Sequence, residues 1–295
     1  MFMSNGISIR KILEDGKKLF SVEFFPPKDD AAGKRMLATA AEIQPHNPDF
    51  VSITYGAGGG TRETTMHYAK LLKEEHGFEV MPHLTCVGHT RDELLTILED
   101  FANAGFCNIM ALRGDPPKGE TQFQAMEGGF SYASDLVALI RENFPAFGIG
   151  VGGYPEKHPE ASDHATDLRN LKTKVDAGAD FITTQLFFDN QAFFKFVNDC
   201  QHAGISVPVL PGLLPVLSLG QVQRFCTMCE AAFPSELEHA LNESEESDQA
   251  KVGADWALGQ VEELLEGGSP GFHLYALNKS QSTLRILDGL DRVKN

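Results

Sequence analysis

The sequence places a glutamate, Glu23, inside the apolar run 20–25, directly between Val22 and Phe24. A carboxylate buried in such a setting loses hydration, and this disfavours its charged form. We therefore expect the pKa of Glu23 to be raised, as suits a general acid near neutral pH. The same spacing would fit a surface glutamate on an edge segment or one paired with a lysine, so both interpretations stay open.

Two residues of opposite charge, Arg113 and Asp115, follow the apolar segment 108–112. The loop that comes next, 116–130, is long and rich in Gly and Pro, which is typical of a lid over a site. The alternative is an ion pair with a structural role only. The position of the pair at the end of an apolar run makes it a candidate functional site.

Polar residues also stand in or next to other apolar runs. His83 fits a hydrogen-bonded packing residue at least as well as a base. The amide of Gln185 would either satisfy a buried backbone group or recognise the edge of a heterocycle. The histidines show no metal-ligand spacing, so we predict no metal site.

Eight β-rich runs alternate with amphipathic helical patterns, and this predicts the elements that position these residues. The runs are 20–25, 49–55, 79–86, 108–113, 148–154, 181–188, 207–214 and 272–277. Such alternation over this length predicts an α/β fold, a (β/α)8 TIM barrel formed as a single domain by residues 1–295. The interval 225–271 is long enough for extra helices before the last strand. A doubly wound sheet is disfavoured because no glycine fingerprint follows the first strand.

The composition excludes several classes of protein. The chain has 295 residues, 41 acidic and 25 basic, with a formal net charge of −16. Because a chain with this negative charge repels phosphate backbones and anionic lipid surfaces, we predict no nucleic-acid partner and no membrane partner. Five scattered cysteines do not form a disulfide framework, and no signal-peptide core is present. We therefore expect a cytoplasmic protein, and we expect it to be a homo-oligomer.

Several segments taken together resemble the bacterial 5,10-methylenetetrahydrofolate reductase family. The match runs in order through nearly the whole chain and is specific only in combination. The segments are 22–27, 50–56, 82–86, 111–115, 154–161, 174–179, 185–189, 211–215 and 272–278.

The resemblance implies a barrel that holds FAD and transfers hydride in a ping-pong reaction. NADH or NADPH would reduce the flavin and leave, and the methylene bridge of methylenetetrahydrofolate would then be reduced to a methyl group. Glu23 would be the general acid that assists opening of the folate ring. Asp115, the second catalytic residue, would lie near the flavin and contact the pterin, where its charge disfavours an anionic reduced flavin.

The resemblance also assigns binding residues position by position. For FAD they are Thr54, His83, Leu112, Arg113, Gly114, Asp115, Tyr132, Ala133, Tyr154, His158, Ala161, Asp167 and Lys174. For the substrate they are Glu23, Asp115, Gln185, Gln221, Phe225 and Lys279. Lys279 stands where the enterobacterial pattern has an arginine. It keeps the positive charge but lacks the planar guanidinium group that forms two hydrogen bonds to a carboxylate.

Two other functions remain open on the residues alone. A barrel lyase or aldolase without a cofactor could use Lys279 to form an imine with a carbonyl substrate. A non-catalytic protein could bind a pterin or a nucleotide without turnover. The sequence does not distinguish NADH from NADPH.

Overall fold

A computed structural model describes residues 6–55, 62–116 and 123–294 of the chain. Its strands follow the predicted runs, and most of them are shorter. They are β1 (Leu19–Phe24), β2 (Phe50–Ile53), β3 (Val80–Thr85), β4 (Asn108–Leu112), β5 (Gly148–Gly153), β6 (Phe181–Thr184), β7 (Val209–Leu210), β8 (Gly212–Leu213) and β9 (Gly271–Tyr275).

Helices connect most of these strands. They are α1 (Ile9–Glu14), α2 (Asp30–Ile43), α3 (Arg62–Glu74), α4 (Arg91–Asn103), α5 (Ala133–Asn143), α6 (His164–Asp176), α7 (Asn190–His202), α8 (Leu219–Cys229), α9 (Ser235–Glu243), α10 (Gln249–Glu266) and α11 (Ser280–Lys294). Side chains fix several starts: Thr90 and Glu93 form a capping box at α4, and Asp163 accepts a hydrogen bond from the Thr166 N–H at α6.

All strand pairs in the sheet are parallel, in the order β7-β6-β5-β4-β3-β2-β1-β9-β8. β7 pairs with β6 and β8 pairs with β9, so these two short strands act as one strand that closes the barrel. The prediction of a continuous strand over 207–214 is wrong, because Pro211 has no N–H for the ladder. The Pro211 carbonyl instead accepts a hydrogen bond from the His273 N–H at 2.9 Å. The predicted (β/α)8 barrel is confirmed.

Alternation along each strand separates two layers of side chains. In β1, Val22 and Phe24 belong to the large apolar core shared with the surrounding helices. Leu19 belongs to a second apolar cluster, which includes Ile9 and Leu13 of α1. This second cluster fills the end of the barrel where the strands begin. The polar residues of the interior therefore lie towards the carboxyl ends of the strands, where barrel enzymes carry their sites.

Three helices, α8, α9 and α10, fill the interval before β9, which confirms the expected extra helices. Their apolar side chains form a third cluster with residues that follow β6 and β8, among them Leu186, Phe188 and Leu214. This cluster brings α8 towards the carboxyl ends of the strands. None of the helices within the described ranges is long and apolar enough to cross a membrane.

Candidate functional site

Glu23 lies at the centre of a buried polar cluster near the carboxyl end of β1. Its residue exposure is only 6%. The Ser52 hydroxyl donates to Glu23 Oε2 at 3.2 Å, and the Nε2 atoms of His83 and His273 lie 3.3 and 3.4 Å from the same oxygen. Within the described part of the chain His83 Nε2 has no well-aligned hydrogen-bond partner, and its contact with Glu23 is an ion pair only when the imidazole is protonated. The carboxylate is therefore held by groups from three other strands.

The strand register explains why these groups meet. Glu23 is opposite Ser52 in β2, while Ser21 is opposite His273 in β9. The Ser21 hydroxyl lies 2.7 Å from His273 Nδ1, so a hydrogen-bonded chain runs from Ser21 through His273 to Glu23. Such a chain can orient the imidazole and carry a proton.

The pKa of Glu23 is lowered to about 2, and the expectation of a raised pKa is wrong. Burial does raise it and is the largest single influence. The opposing effects are the contacts with His83, chiefly its charge, and with His273, and together they outweigh burial. Glu23 is therefore ionised at neutral pH, and a proton that it delivers must first reach it from a neighbour.

Arg113 forms a two-point ion pair at the end of β4, and its partner is Glu160. The Arg113 Nη1 and Nη2 atoms lie 2.6 and 2.7 Å from the two carboxylate oxygens, and the guanidinium stacks on Phe123. Asp115 is exposed beside it. Between them, Gly114 has a φ of +89°, and a Cβ there would lie 2.6 Å from Val87. Only glycine fits this turn.

The loop between β5 and α6 brings together the next predicted residues. The rings of Tyr154 and His158 meet edge to face at 4.4 Å, and the His158 N–H donates to Asp167 Oδ2 at 3.0 Å. Lys174 Nζ, from α6, donates to the Gly152 carbonyl at 2.5 Å. Partial burial lowers the pKa of Lys174 to about 8, while the charge of Asp167 acts in the opposite sense. Ala161 closes the same loop through its N–H, which donates to the His158 carbonyl.

Four further predicted residues lie where two strands end and where α5 begins. Thr54 follows β2, Leu112 ends β4, Tyr132 caps α5 and Ala133 begins it. The Cys86 thiol lies 3.4 Å from the Leu112 carbonyl and 3.5 Å from the Tyr132 carbonyl. Tyr132 is 66% exposed. Residues 117–122 of the predicted lid lie outside the described residues, so its behaviour stays a prediction.

The predicted substrate residues Gln185, Gln221, Phe225 and Lys279 lie on several different elements. The side-chain oxygen of Gln185 accepts from the Leu186 N–H at 2.8 Å, and that of Gln221 accepts from the Leu217 N–H at 2.8 Å. Phe225 is half-buried in the third cluster. Lys279 is exposed just before α11, whereas an imine-forming lysine is ordinarily enclosed. Substrate contact by these residues stays a prediction.

Ser21 and Ser52 were not predicted to belong to the site, and no role was predicted for His273. The sequence did contain a pattern that could have identified Ser21 and His273, because Ser21 and Glu23, like His273 and Tyr275, alternate with apolar residues. That period places them on one face of each strand. The Tyr275 hydroxyl donates to the Thr184 carbonyl at 2.5 Å and so joins β9 to β6, the two strands on either side of β7 and β8.

The composition of the site fits a large polar anion such as a dinucleotide. Arg113 and Lys174 supply cationic donors at the carboxyl ends of β4 and β5. Within the described residues, the hydroxyl oxygens of Thr85 and Thr183 are buried and have no hydrogen-bond partner. A buried polar atom ordinarily has a partner, so these hydroxyls indicate that the barrel accommodates a polar ligand.

Comparison with known proteins identifies a family. The sequence model of the methylenetetrahydrofolate reductase family matches residues 8–291. The chain is 40% identical over 268 residues to 5,10-methylenetetrahydrofolate reductase of Salmonella typhimurium, covering 90% of this chain and 88% of the relative. It is 38% identical over 294 residues to methylenetetrahydrofolate reductase (NADH) 1 of Arabidopsis thaliana, covering 96% of this chain. The chain spans about half the length of the plant relatives it matches, 50% in this case.

Solved structures share the architecture at low sequence identity. An uncharacterized protein from Clostridium thermocellum, described as binding two copies of 5-methyl-5,6,7,8-tetrahydrofolic acid, has a TM-score of 0.63 at 15% identity. That similarity covers 98% of this chain and 99% of the other. An oxaloacetate acetylhydrolase has a TM-score of 0.56 at 9% identity over 99% of this chain and 87% of the other. These similarities describe the fold alone.

Proposed function

Because this chain belongs to the methylenetetrahydrofolate reductase family, we propose that it reduces 5,10-methylenetetrahydrofolate to 5-methyltetrahydrofolate with NADH or NADPH as the source of hydride. The observation that carries the proposal is the buried Glu23 carboxylate between His83 and His273 at the carboxyl end of the barrel. Such a group can relay a proton from a neighbouring imidazole to a bound ligand. A cytoplasmic location and a homo-oligomeric state stay predictions.

FAD is the cofactor in this proposal, and it would accept hydride from the nicotinamide and pass it to the folate carbon. Arg113 and Lys174, at neighbouring strand ends, would hold its anionic portion after giving up their present contacts with Glu160 and the Gly152 carbonyl. Tyr154, His158 and Asp167 would line the same side through the β5–α6 loop. The remaining flavin contacts would come from Thr54, His83, Leu112, Gly114, Asp115, Tyr132, Ala133 and Ala161.

Glu23 has a more specific task in this proposal than the sequence suggested. Hydride can add to the methylene carbon only after the folate ring opens, and protonation of the departing amine nitrogen assists that opening. Since the pKa of Glu23 is about 2, its carboxylate would relay the proton: a protonated imidazole of His83 or His273 would pass a proton to the carboxylate, which would deliver it to the nitrogen and end ionised, with that imidazole neutral. The Ser21 hydroxyl would keep the His273 ring oriented for that transfer.

Substrate recognition would involve Asp115, which is also a proposed flavin contact, and side chains from other elements around the barrel mouth. Asp115 would contact the pterin, and the amides of Gln185 and Gln221 would bind its polar edge after breaking their present backbone contacts. Phe225 would provide an apolar surface. Lys279 is exposed and would meet the acidic tail of the folate by charge alone.

The proposed function is tested by observing the two half-reactions separately. We expect purified protein, or apoprotein mixed with FAD, to be yellow, to bleach with NADH or NADPH without oxygen, and to recolour with methylenetetrahydrofolate. Anaerobic stopped-flow absorbance measures both rates. A protein that takes up no FAD, or reduced flavin that the folate does not reoxidise, contradicts the proposal.

Cofactor binding is expected to weaken as the pH rises past 8. The lowered pKa of Lys174, about 8, means that the amine loses its charge between pH 7 and 9. Loss of a charge-assisted contact with a phosphate should weaken FAD binding by about ten-fold. Flavin fluorescence titration of the apoprotein at pH 7 and pH 9 measures the change. Lys174→Arg should bind FAD equally at both pH values, and an unchanged pH dependence in this variant would show that another group is responsible.

A further inference from the structure

Lys157, in the β5–α6 loop, has a backbone conformation that its side chain disfavours. Its φ is +138°, in a region that glycine adopts readily and that is strained for other residues. Strain of this kind persists only where surrounding contacts compensate for it. The contacts of the Lys157 side chain are therefore informative.

The ammonium of Lys157 lies inside a turn formed by the residues that follow it. Nζ is 3.0 Å from the His158 carbonyl oxygen, 3.4 Å from that of Pro159 and 3.0 Å from that of Ala161. An ammonium has three N–H donors and no acceptor, so this set of carbonyls matches it in number. The backbone carbonyls of the loop therefore surround the ammonium of Lys157, a residue of the same loop.

The same ammonium connects this loop to the turn between α8 and α9. Nζ lies 3.6 Å from Glu230 Oε2, and Glu230 itself has a left-handed φ of +51°. One residue before Lys157, the Glu156 carboxylate accepts a hydrogen bond from the Ala232 N–H at 2.9 Å. Adjacent residues of the loop therefore hold the α8–α9 turn through two separate contacts.

We propose that Lys157 is a positioning residue that shapes the 157–161 loop for cofactor binding and fixes the loop to the end of α8. The inference rests on the proposed function, because His158 and Ala161 of this loop are proposed flavin contacts. The loop also presents Glu160 to Arg113. By holding the three carbonyls together, the ammonium keeps all these groups in the arrangement that the cofactor meets.

The contacts of Lys157 also connect the proposed flavin site with the proposed folate site. α8 carries Gln221 and Phe225, which are proposed to bind the folate, and its C-terminal end is held by the Lys157–Glu230 contact. Loss of the ammonium should therefore weaken flavin binding and raise the KM for the folate. The rate constant of hydride transfer from the nicotinamide to bound flavin should stay within about two-fold of wild type, because Lys157 touches no reacting atom.

Two substitutions separate the ammonium from the backbone strain. Lys157→Met keeps a long side chain and the strain but removes the charge, whereas Lys157→Gly removes both. Lys172→Met is the matched control, since Lys172 is a surface lysine paired with Asp176 one helical turn away. Hydrogen–deuterium exchange of loop 157–161 in the apoprotein and the FAD dissociation constant are measured for all three variants and the wild type.

We expect loop amides to exchange at least about ten-fold faster in both Lys157 variants, and FAD to bind at least about ten-fold more weakly. Thermal unfolding and exchange in the barrel strands should stay unchanged, as should every property of Lys172→Met. Wild-type exchange in Lys157→Gly would overturn the proposal, because the loop would then keep its shape without the ammonium. If the wild type binds no FAD, the proposed function fails, and the exchange result still decides the role of Lys157 in shaping the loop.

Discussion

Glu23→Gln is expected to slow reduction of methylenetetrahydrofolate by about 10²- to 10⁴-fold while the nicotinamide still reduces the flavin at close to the wild-type rate. The amide has nearly the size of the carboxyl and keeps the place between His83 and His273 filled. It can neither accept a proton from an imidazole nor give one to the folate nitrogen. Only the folate half-reaction needs that proton, so only that half-reaction should fail.

The two half-reactions are measured by anaerobic stopped-flow absorbance of the flavin. Glu142→Gln is the control, because Glu142 is an exposed carboxylate on α5, outside the site, and it should leave both rates unchanged. Circular dichroism checks that Glu23→Gln is folded. Equal losses in the two half-reactions would assign Glu23 a structural or binding role, and wild-type folate reduction would remove it from proton transfer.

Gly271→Ala is expected to destabilise the protein by roughly 3–5 kcal/mol, because strain at positive φ adds to overpacking. Gly271 has a φ of +149°, and a Cβ there would lie 1.8 Å from the Leu19 carbonyl oxygen. Leu19 is its register partner where β1 pairs with β9. The added methyl would push apart two strands that the barrel needs to close.

Chemical denaturation followed by circular dichroism measures the free energy of unfolding. Gly259→Ala provides the contrast, since Gly259 lies in α10 and a Cβ there would meet nothing within 4 Å. That variant should be stabilised by about 0.5–1 kcal/mol through helix propensity. A Gly271→Ala protein as stable as wild type would mean that β1 and β9 can shift apart at no cost.

Much of the fold could be predicted from the sequence because its determinants are local. Apolar runs and amphipathic stretches alternate with a regular spacing, and capping residues such as Thr90 and Asp163 mark helix starts. These patterns gave the barrel, the extra helices and the candidate residues at the strand ends. They failed within 207–214, where the missing N–H of Pro211 divides one strand between two partners.

The chemistry of the site could not be predicted from local patterns. The apolar neighbours of Glu23 left both a buried and a surface position open, and the structure shows that it is buried, whereas the predicted direction of its pKa shift was wrong. That direction depends on His83 and His273, which are 60 and 250 residues away in the sequence and meet Glu23 only through strand pairing. Likewise, Arg113 is paired with Glu160 and not with Asp115, its neighbour in sequence.

The sequence by itself determined most of the strands and helices, the barrel that they form and the family that the chain resembles, since each depends on residue type and near spacing. The tertiary structure alone decided that Glu23 is ionised, that Ser21 supports His273, and that the Lys157 ammonium holds its own loop. The physical reason is that electrostatic interactions depend on distance in space, and barrel closure sets those distances.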